Sequence, residues 1–114
     1  MRAELVGPTG NAVVRLALDT GATATLINVA LFVAVGYDPA LAPTRVQITT
    51  GSGVEYVPQI VAIAPIALGQ TRRALPVLAH TLPPSAGVDG LLGLDFFRST
   101  ALTIDFRAGQ VRLA

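Results

Sequence analysis

The stretch Leu18-Asp19-Thr20-Gly21-Ala22-Thr23 follows a run of mostly apolar residues, 13–18, that predicts a β-strand. The strand ends in a turn and so delivers the carboxylate of Asp19 to the edge of a sheet. Gly21 permits tight backbone geometry and leaves amide N–H groups free to approach that carboxylate. Thr20 supplies a hydroxyl that can bond backbone across a turn or a two-fold axis. The pattern therefore indicates a carboxylate held by hydrogen-bond donors.

A single carboxylate of this kind does not hydrolyse peptides, but a pair does. Two carboxylates about 3 Å apart share one proton, because both cannot ionise together. The ionised member takes a proton from water while the protonated member donates to the substrate carbonyl. The chain has one Asp-Thr-Gly, since Asp38, Asp89, Asp95 and Asp105 are not followed by Thr-Gly or Ser-Gly. The second carboxylate must then come from a second copy, because an isologous dimer places residue 19 opposite residue 19.

Composition narrows the chemistry further. Only 13% of the 114 residues are charged, against about 25% in an average chain, which favours a surface partly covered by a partner. The chain has no Cys, no Lys and a single His, His80. These absences exclude zinc clusters, Cys or Ser-His nucleophiles, Schiff bases and P-loops. A net charge of +1 with dispersed arginines forms no basic stripe, so we expect no nucleic acid as a partner. Because the chain has no Cys, no Lys and a single His, we also expect no metal and no cofactor.

The sequence leaves the compartment open. Its apolar runs are far shorter than the about 20 residues of a membrane span, and Met1-Arg2-Ala3-Glu4 opens no signal peptide. We expect no membrane segment in this chain. Whether Met1 is a natural start, or the boundary of a soluble domain cut from a longer precursor, is left open.

The rest of the chain predicts short strands separated by Gly and Pro, within a single domain over residues 1–114. Asn28 is a candidate N-cap for a short helix over 29–35 that ends at Gly36, and a single-turn helix is expected over 94–98. The predicted class is all-β with one or two short helices. The expected strands cover residues 5–6, 13–18, 24–27, 46–50, 54–57, 60–68, 72–79, 102–106 and 111–113.

Gly51-Ser52-Gly53 is the strongest hairpin signal in the sequence, because it separates two strand-like runs. Pro58 on the returning arm cannot donate a ladder hydrogen bond, which predicts an edge or projecting hairpin. This hairpin either has a role at the functional site or is an ordinary exposed hairpin, and the sequence pattern leaves both interpretations open.

Three blocks in order give the chain its resemblance to a known family. They are Leu18-Asp19-Thr20-Gly21-Ala22-Thr23, then Asp89-Gly90-Leu91-Leu92-Gly93-Leu94-Asp95-Phe96-Phe97, and a terminal hairpin over 102–113. With the glycine-tipped hairpin between them, they make the chain resemble the retropepsin-like (retroviral-type) aspartic proteases. The resemblance is closer to the bacterial or cellular single-domain relatives than to the viral enzymes. It implies a small closed, barrel-like β fold and a homodimeric aspartic endopeptidase acting on polypeptides.

The resemblance also implies a role for each matched residue. Asp19 would be the catalytic aspartate, with Thr20 bonding across the dimer axis and Gly21 and Ala22 completing the active-site loop. A flap over the substrate would be formed by Thr50, Gly51, Ser52 and Gly53, with Tyr56 either closing on substrate or packing within the strand. Leu91, Leu92 and Gly93 would form a loop crossing under the active-site loop.

The sequence also departs from this family in several places. Only 18 residues precede Asp19, a shorter N-terminal arm than the viral enzymes have. Residues 110–114 are therefore an alternative to an N-terminal strand as the dimer interface. Thr23 stands where viral members carry Asp, and the Asp–Arg support pair of those members is missing. Ala22 replaces the Ser of pepsin-like members and removes a hydroxyl donor, which predicts a less acidic pH optimum. Asp95 is expected to be a helix-start charge. The alternative function is an inactive, protease-like module for dimerisation or peptide binding.

Overall fold

The computed structural model describes residues 1–50, 53–63, 66–67, 70–71, 74–82, 87–98 and 102–113. Over these residues the chain is built mainly of β-strands, as predicted. One α-helix, α1 (Val29–Ala34), and two 3-10 helices, Pro39–Leu41 and Leu94–Phe97, join them. In chain order the strands are β1 (Arg2–Gly7), β2 (Gly10–Leu18), β3 (Leu26–Ile27), β4 (Thr44–Thr50), β5 (Gly53–Ile63), β6 (Ile66–Ala67), β7 (Gln70–Thr71), β8 (Ala74–Ala79), β9 (Gly90–Leu92), β10 (Leu102–Asp105) and β11 (Gln110–Leu113).

Within the described part of the chain, strands β1 to β9 form one sheet in the order β4-β5-β8-β3-β9-β2-β1-β6-β7. The all-β class is confirmed, but the sheet is open, and the expected closure into a barrel is wrong. Closure requires the two edge strands to pair with each other. Here the edges are β4, which is one arm of a hairpin, and β7, which is two residues long and pairs with β6.

The hydrophobic core lies between the β1–β2 hairpin, β8 and the short helices. Leu5, Val14 and Leu16 alternate with more exposed neighbours along β1 and β2 and are at most 2% exposed. Phe32 of α1 and Phe96 of the second 3-10 helix are 0% and 1% exposed. Burying a side chain of this size contributes about 1.5–3 kcal/mol, so the helices are held by their aromatic residues rather than by their length.

Helix α1 begins and ends at the residues that the sequence predicts. The Asn28 side chain accepts a hydrogen bond from the backbone N–H of Ala30 at 3.1 Å, which satisfies a donor of the first turn. The chain leaves the helix at Gly36 with φ +99°, a conformation that strains any residue with a side chain. The predicted helix over 29–35 is confirmed to within one residue.

The β4–β5 hairpin projects from the sheet. Its ladder runs from Thr50 opposite Gly53 to Thr44 opposite Gln59, whereas β5 pairs with β8 only from Gln59 onward. Among the strands that the structure describes, residues 53–58 therefore pair with β4 alone, which confirms the projecting hairpin predicted from Pro58. Gly51 and Ser52 lie outside the described residues.

The remaining strand predictions are confirmed in position and modified in detail. Within the expected pair over 60–68 and 72–79, β5 pairs with β8 from Ile60 opposite Val77 to Ile63 opposite Ala74. Residues 64, 65, 68, 72 and 73 of the expected strands lie outside the described residues. Between β5 and β8 the chain makes the small β6–β7 ladder, which pairs with β1. The terminal hairpin of β10 and β11 forms a separate two-stranded sheet, with Gly109 at φ +63° in its turn.

No helix among the described residues is long and apolar enough to cross a membrane.

Candidate active site

Asp19 lies directly after β2, and its carboxylate is held by the turn that follows. The backbone N–H of Gly21 donates to Asp19 Oδ1 at 2.9 Å, and the N–H of Ala22 donates to the Asp19 carbonyl at 3.1 Å. Asp19 is half-buried, while Thr20 is exposed to solvent. A Cβ at position 21 would lie 3.3 Å from Asp19 Oδ1, so glycine lets the amide approach the carboxylate closely. This is the arrangement of donor and carboxylate that the sequence predicts.

Strand β9 fixes the position of this turn from the side. It pairs in parallel with β2, with Leu18 opposite Leu92, and antiparallel with β3, with Leu26 opposite Leu91. The Asp19 N–H donates to the Leu92 carbonyl at 3.0 Å. Leu91 and Leu92 therefore lie in a strand between β2 and β3, whereas the family resemblance implies a loop. Their strand partners are 65 or more positions away in the sequence and leave no local pattern.

Gly93 follows β9 at a point where two backbones touch. A Cβ there would lie 2.6 Å from the carbonyl carbon of Ala24 and 3.0 Å from the carbonyl oxygen of Ala22. The next residue, Leu94, donates its N–H to that Ala22 oxygen at 2.9 Å. The segment after β9 is thus packed directly against the loop that carries Asp19, and glycine is required at this close approach.

Asp95 makes contacts that the sequence does not reveal. Its carboxylate accepts the Thr25 N–H on both oxygens, at 3.1 and 3.0 Å, and the Thr25 hydroxyl on Oδ1 at 2.7 Å. The same hydroxyl accepts the N–H of Gly93 at 3.1 Å. Asp95 does lie in the first turn of its 3-10 helix, as expected. Its contacts to Thr25, a residue that is 2% exposed, are the feature that sequence reasoning missed.

The only local signal for this contact was a polar residue inside an apolar strand. Thr25 interrupts the predicted strand over 24–27, and a buried hydroxyl normally has a hydrogen-bond partner. Nothing in the sequence identifies that partner, because Asp95 lies 70 positions away.

The projecting hairpin carries the predicted flap residues that the structure describes. Gly53 has φ +121°, and Thr50 lies opposite it in the ladder. Tyr56 is 66% exposed, and its hydroxyl donates to Gln47 Oε1 on β4 at 3.4 Å. Tyr56 is therefore not packed in the core.

The opposite face of this hairpin meets the body of the protein. Glu55 Oε2 lies 3.5 Å from His80 Nε2, and Val57 is buried. Since successive side chains of a strand point to opposite faces, Val54 and Tyr56 face away from that contact. His80 is partly exposed and directly follows β8.

A cleft of about 340 Å³ opens beside the active-site loop. It is lined in part by Thr23 and Ala24 of that loop and by Gln59, Pro76 and Arg98. Among the residues that the structure describes, no three His, Cys, Asp or Glu side chains are grouped closely enough to hold a metal ion. The chemistry available at this site is that of a carboxylate, hydroxyls and backbone amides.

Comparisons with known proteins agree with this fold. Residues 9–99 match the model of a family described as "gag-polyprotein putative aspartyl protease". The crystal structure of a retropepsin-like aspartic protease from Rickettsia conorii superposes with a TM-score of 0.63 at 17% sequence identity. The match covers 92% of this chain and 74% of that chain. No curated protein matches the sequence. The similarity confirms the predicted retropepsin-like fold.

Proposed function

This chain belongs to the gag-polyprotein aspartyl protease family, and we propose that it is an aspartic endopeptidase whose dyad is formed by Asp19 of two identical chains. In this proposal residues 1–114 are one domain and one half of a homodimeric enzyme. Each half supplies one carboxylate, and polypeptides are the substrate.

One observation carries the proposal: among the acidic residues that the structure describes, Asp19 is followed by Thr-Gly, and its backbone N–H is held by the Leu92 carbonyl of β9 at 3.0 Å. Its Oδ1 accepts a hydrogen bond from a neighbouring amide and the residue lies at the open end of β2. The other acidic side chains described are each engaged elsewhere. They are Glu4 with Asn11, Asp38 with the Ala40 amide, Glu55 with His80, Asp89 with the Arg15 amide and Asp95 with Thr25. A second carboxylate for Asp19 is therefore best supplied by a second chain.

The chemistry follows from bringing two such carboxylates together. They share one proton because two adjacent negative charges repel. The ionised carboxylate removes a proton from a bound water, which attacks the peptide carbonyl, while the protonated carboxylate donates its proton to the carbonyl oxygen. The resulting tetrahedral intermediate collapses when the amine leaves with a proton. No covalent intermediate with the protein is formed.

The surrounding residues have supporting roles in this proposal. The exposed Thr20 would bond across the two-fold axis, and the Gly21 and Ala22 amides hold the Asp19 turn in shape. The substrate would bind as an extended strand between this floor and the flap of Thr50, Gly51, Ser52 and Gly53. Tyr56 would contact it, since its ring is exposed on the face of the hairpin that points away from His80.

The first test compares wild-type protein with Asp19→Asn and Asp38→Asn at high protein concentration. An unfolded polypeptide is incubated with each protein across pH 4–8 and its cleavage is followed. We expect Asp19→Asn to lower the rate by at least about 100-fold, because the amide can neither accept nor relay the proton. Asp38→Asn is the matched control, since Asp38 caps a 3-10 helix remote in sequence from the dyad. Equal absence of cleavage in all three proteins would favour the alternative, a protease-like binding module without turnover.

A mixing experiment tests the shared dyad itself. If each site needs Asp19 from both chains, a three-fold excess of Asp19→Asn protein leaves about a quarter of wild-type chains paired with each other after exchange. Activity should fall to about that fraction, whereas excess Asp38→Asn protein should not lower it. Activity unchanged by the Asp19→Asn protein, under conditions where sedimentation shows that subunits exchange, would contradict a site built from two chains.

A further inference from the structure

Four hydrogen bonds join Thr25, Gly93 and Asp95 into a closed set behind the active-site loop. Thr25 uses its N–H and its hydroxyl proton on the Asp95 carboxylate, and its hydroxyl oxygen accepts from Gly93. The bond from the hydroxyl to Asp95 Oδ1 is 2.7 Å, a well-formed O–H···O hydrogen bond. The hydroxyl of a residue only 2% exposed is thus satisfied both as donor and as acceptor.

Breaking these hydrogen bonds should lower the free energy of unfolding more than breaking a contact at the surface would. Removing the Thr25 hydroxyl would leave the Gly93 N–H without its acceptor and one Asp95 oxygen without its strongest donor. Buried polar groups that lose their partners keep the full cost of their desolvation. The three residues are therefore expected to hold a single arrangement in the folded chain.

The set is connected to Asp19 through packed backbone. The segment from Leu92 to Asp95 contacts the active-site loop at both ends. The Leu92 carbonyl accepts the Asp19 N–H at 3.0 Å, and the Leu94 N–H donates to the Ala22 carbonyl at 2.9 Å. Because the backbones touch at Gly93, a shift of this segment must move residues 22–24 and with them the turn of Asp19. A misplacement of about 1 Å at a reacting group can cost about 100-fold in rate.

We propose that Thr25 and Asp95 are positioning residues, which hold the Asp19 turn in the geometry that the dyad requires. The inference rests on the proposed function, since Asp19 must be the reacting group. Neither residue contacts substrate in this proposal. In this proposal Asp95 acts through the active-site loop, since both of its carboxylate oxygens accept hydrogen bonds from Thr25.

The test uses two substitutions of Thr25 that differ in one hydroxyl. Thr25→Val keeps the branched shape and removes the hydroxyl, whereas Thr25→Ser keeps the hydroxyl. Both are assayed on an unfolded polypeptide at protein concentrations where sedimentation shows full dimer. We expect kcat to fall at least about 10-fold in Thr25→Val with KM changed less than about 3-fold, since the floor moves and the substrate groove stays. Thr25→Ser should keep kcat within about 3-fold of wild type.

Asp89→Asn separates positioning from general loss of stability. Asp89 also accepts a backbone amide beside β9, from Arg15 at 2.7 Å, but it lies at the other end of that strand. Asp89→Asn should lower the melting temperature without lowering kcat. A kcat loss in Asp89→Asn as large as in Thr25→Val, or one in Thr25→Ser equal to that in Thr25→Val, would overturn the inference.

Two further measurements keep the inference distinct from the proposed function. If Thr25→Val does not fold, Asp95→Asn takes its place, and a folded Asp95→Asn with wild-type kcat would overturn the inference.

Amide hydrogen exchange provides a readout without catalysis. Faster exchange at Ala22 and Leu94 in the Thr25 or Asp95 variant, but not in Asp89→Asn, supports the inference, and unchanged exchange contradicts it. Failure of the proposed function would instead appear as a wild type that is no more active than Asp19→Asn.

Discussion

The loop after β2 and the hairpin of β4 and β5 are built in opposite ways. The loop from Asp19 to Thr25 contacts the segment from Leu92 to Asp95 through backbone, hydroxyl and carboxylate hydrogen bonds. Residues 53–58 of the hairpin pair with β4 alone, and Val54, Glu55 and Tyr56 in this arm are exposed. Among the described residues, hydrogen bonds from several elements hold the loop, whereas this arm of the hairpin pairs with β4 and meets the body of the protein through Glu55 and the buried Val57.

The difference corresponds to two needs of one proposed reaction. A carboxylate that must meet another carboxylate and a water works only within a narrow range of positions. A segment that must admit and release a peptide has to open, and such segments are drawn from the least stable parts of a fold. Substitutions in the two regions should therefore affect stability and activity in different proportions.

Gly93→Ala should have the largest effect on stability, because it forces apart the backbones that hold the active-site loop. The added Cβ would lie 2.6 Å from the Ala24 carbonyl carbon. The backbones at Gly93 and Ala24 can separate only by breaking hydrogen bonds between their two segments. We expect the free energy of unfolding to fall by about 3 kcal/mol, toward the upper range for overpacking, with loss of most activity. Urea denaturation measures it.

Gly10→Ala is the matched control for that substitution. Gly10 lies at the start of β2, and a Cβ there meets no atom within 4 Å. The unfolding free energy of the Gly10→Ala protein should differ from that of wild type by less than about 0.5 kcal/mol. Equal stability of the Gly93→Ala and Gly10→Ala proteins would show that the two backbones are not in close contact.

Gly53→Ala should affect activity more than stability. At φ +121° an alanine is strained by about 1–3 kcal/mol, but a residue at the end of the β4–β5 ladder can relieve that strain locally. We expect the unfolding free energy to fall by less than about 1 kcal/mol, while kcat/KM falls several-fold. Val54→Ala, at the neighbouring exposed position, serves as control. A stability loss in Gly53→Ala as large as in Gly93→Ala would mean that the hairpin is as firmly held as the floor.

Glu55→Gln should have the smallest effect, and it sharpens the comparison because the same chemical change can be made at Asp95. The Glu55–His80 pair is partly exposed at 3.5 Å and is an ion pair only when His80 is protonated. Its loss should cost less than about 0.5 kcal/mol. Asp95→Asn should cost about 1–3 kcal/mol, because it disturbs the hydrogen bonds of the buried Thr25. Thermal unfolding of both proteins in one buffer checks the ratio, and equal losses would remove the distinction between the two regions.

Predictions from the sequence succeed where structure is local. The cap at Asn28, the left-handed Gly36, the projecting hairpin before Pro58 and the terminal hairpin each depend on residues within a few positions of one another. The Asp19 turn is equally local, since Gly21 donates to a carboxylate two residues away. The family resemblance added the order of these pieces and, through it, the retropepsin-like fold.

Predictions fail where the contact joins distant parts of the chain. The family resemblance implied a loop for Leu91 and Leu92, but they lie in a strand. They form that strand because they pair with β2 on one side and β3 on the other. Closure of the sheet was wrong for a related reason. Whether β4 and β7 meet depends on the twist and stagger of seven intervening strands, and short local patterns do not encode that geometry.

By itself, the sequence determined that this chain has a single carboxylate in an Asp-Thr-Gly turn at a strand end, in an all-β domain with no Cys or Lys. Those properties depend on residue identity and on neighbours in the chain. Only the tertiary structure decided that Thr25 and Asp95, 70 positions apart, meet behind that turn, and that the backbone at Gly93 touches Ala24. Such contacts form because burial leaves a polar group no partner except the one that the fold brings to it, and the fold is a property of the whole chain.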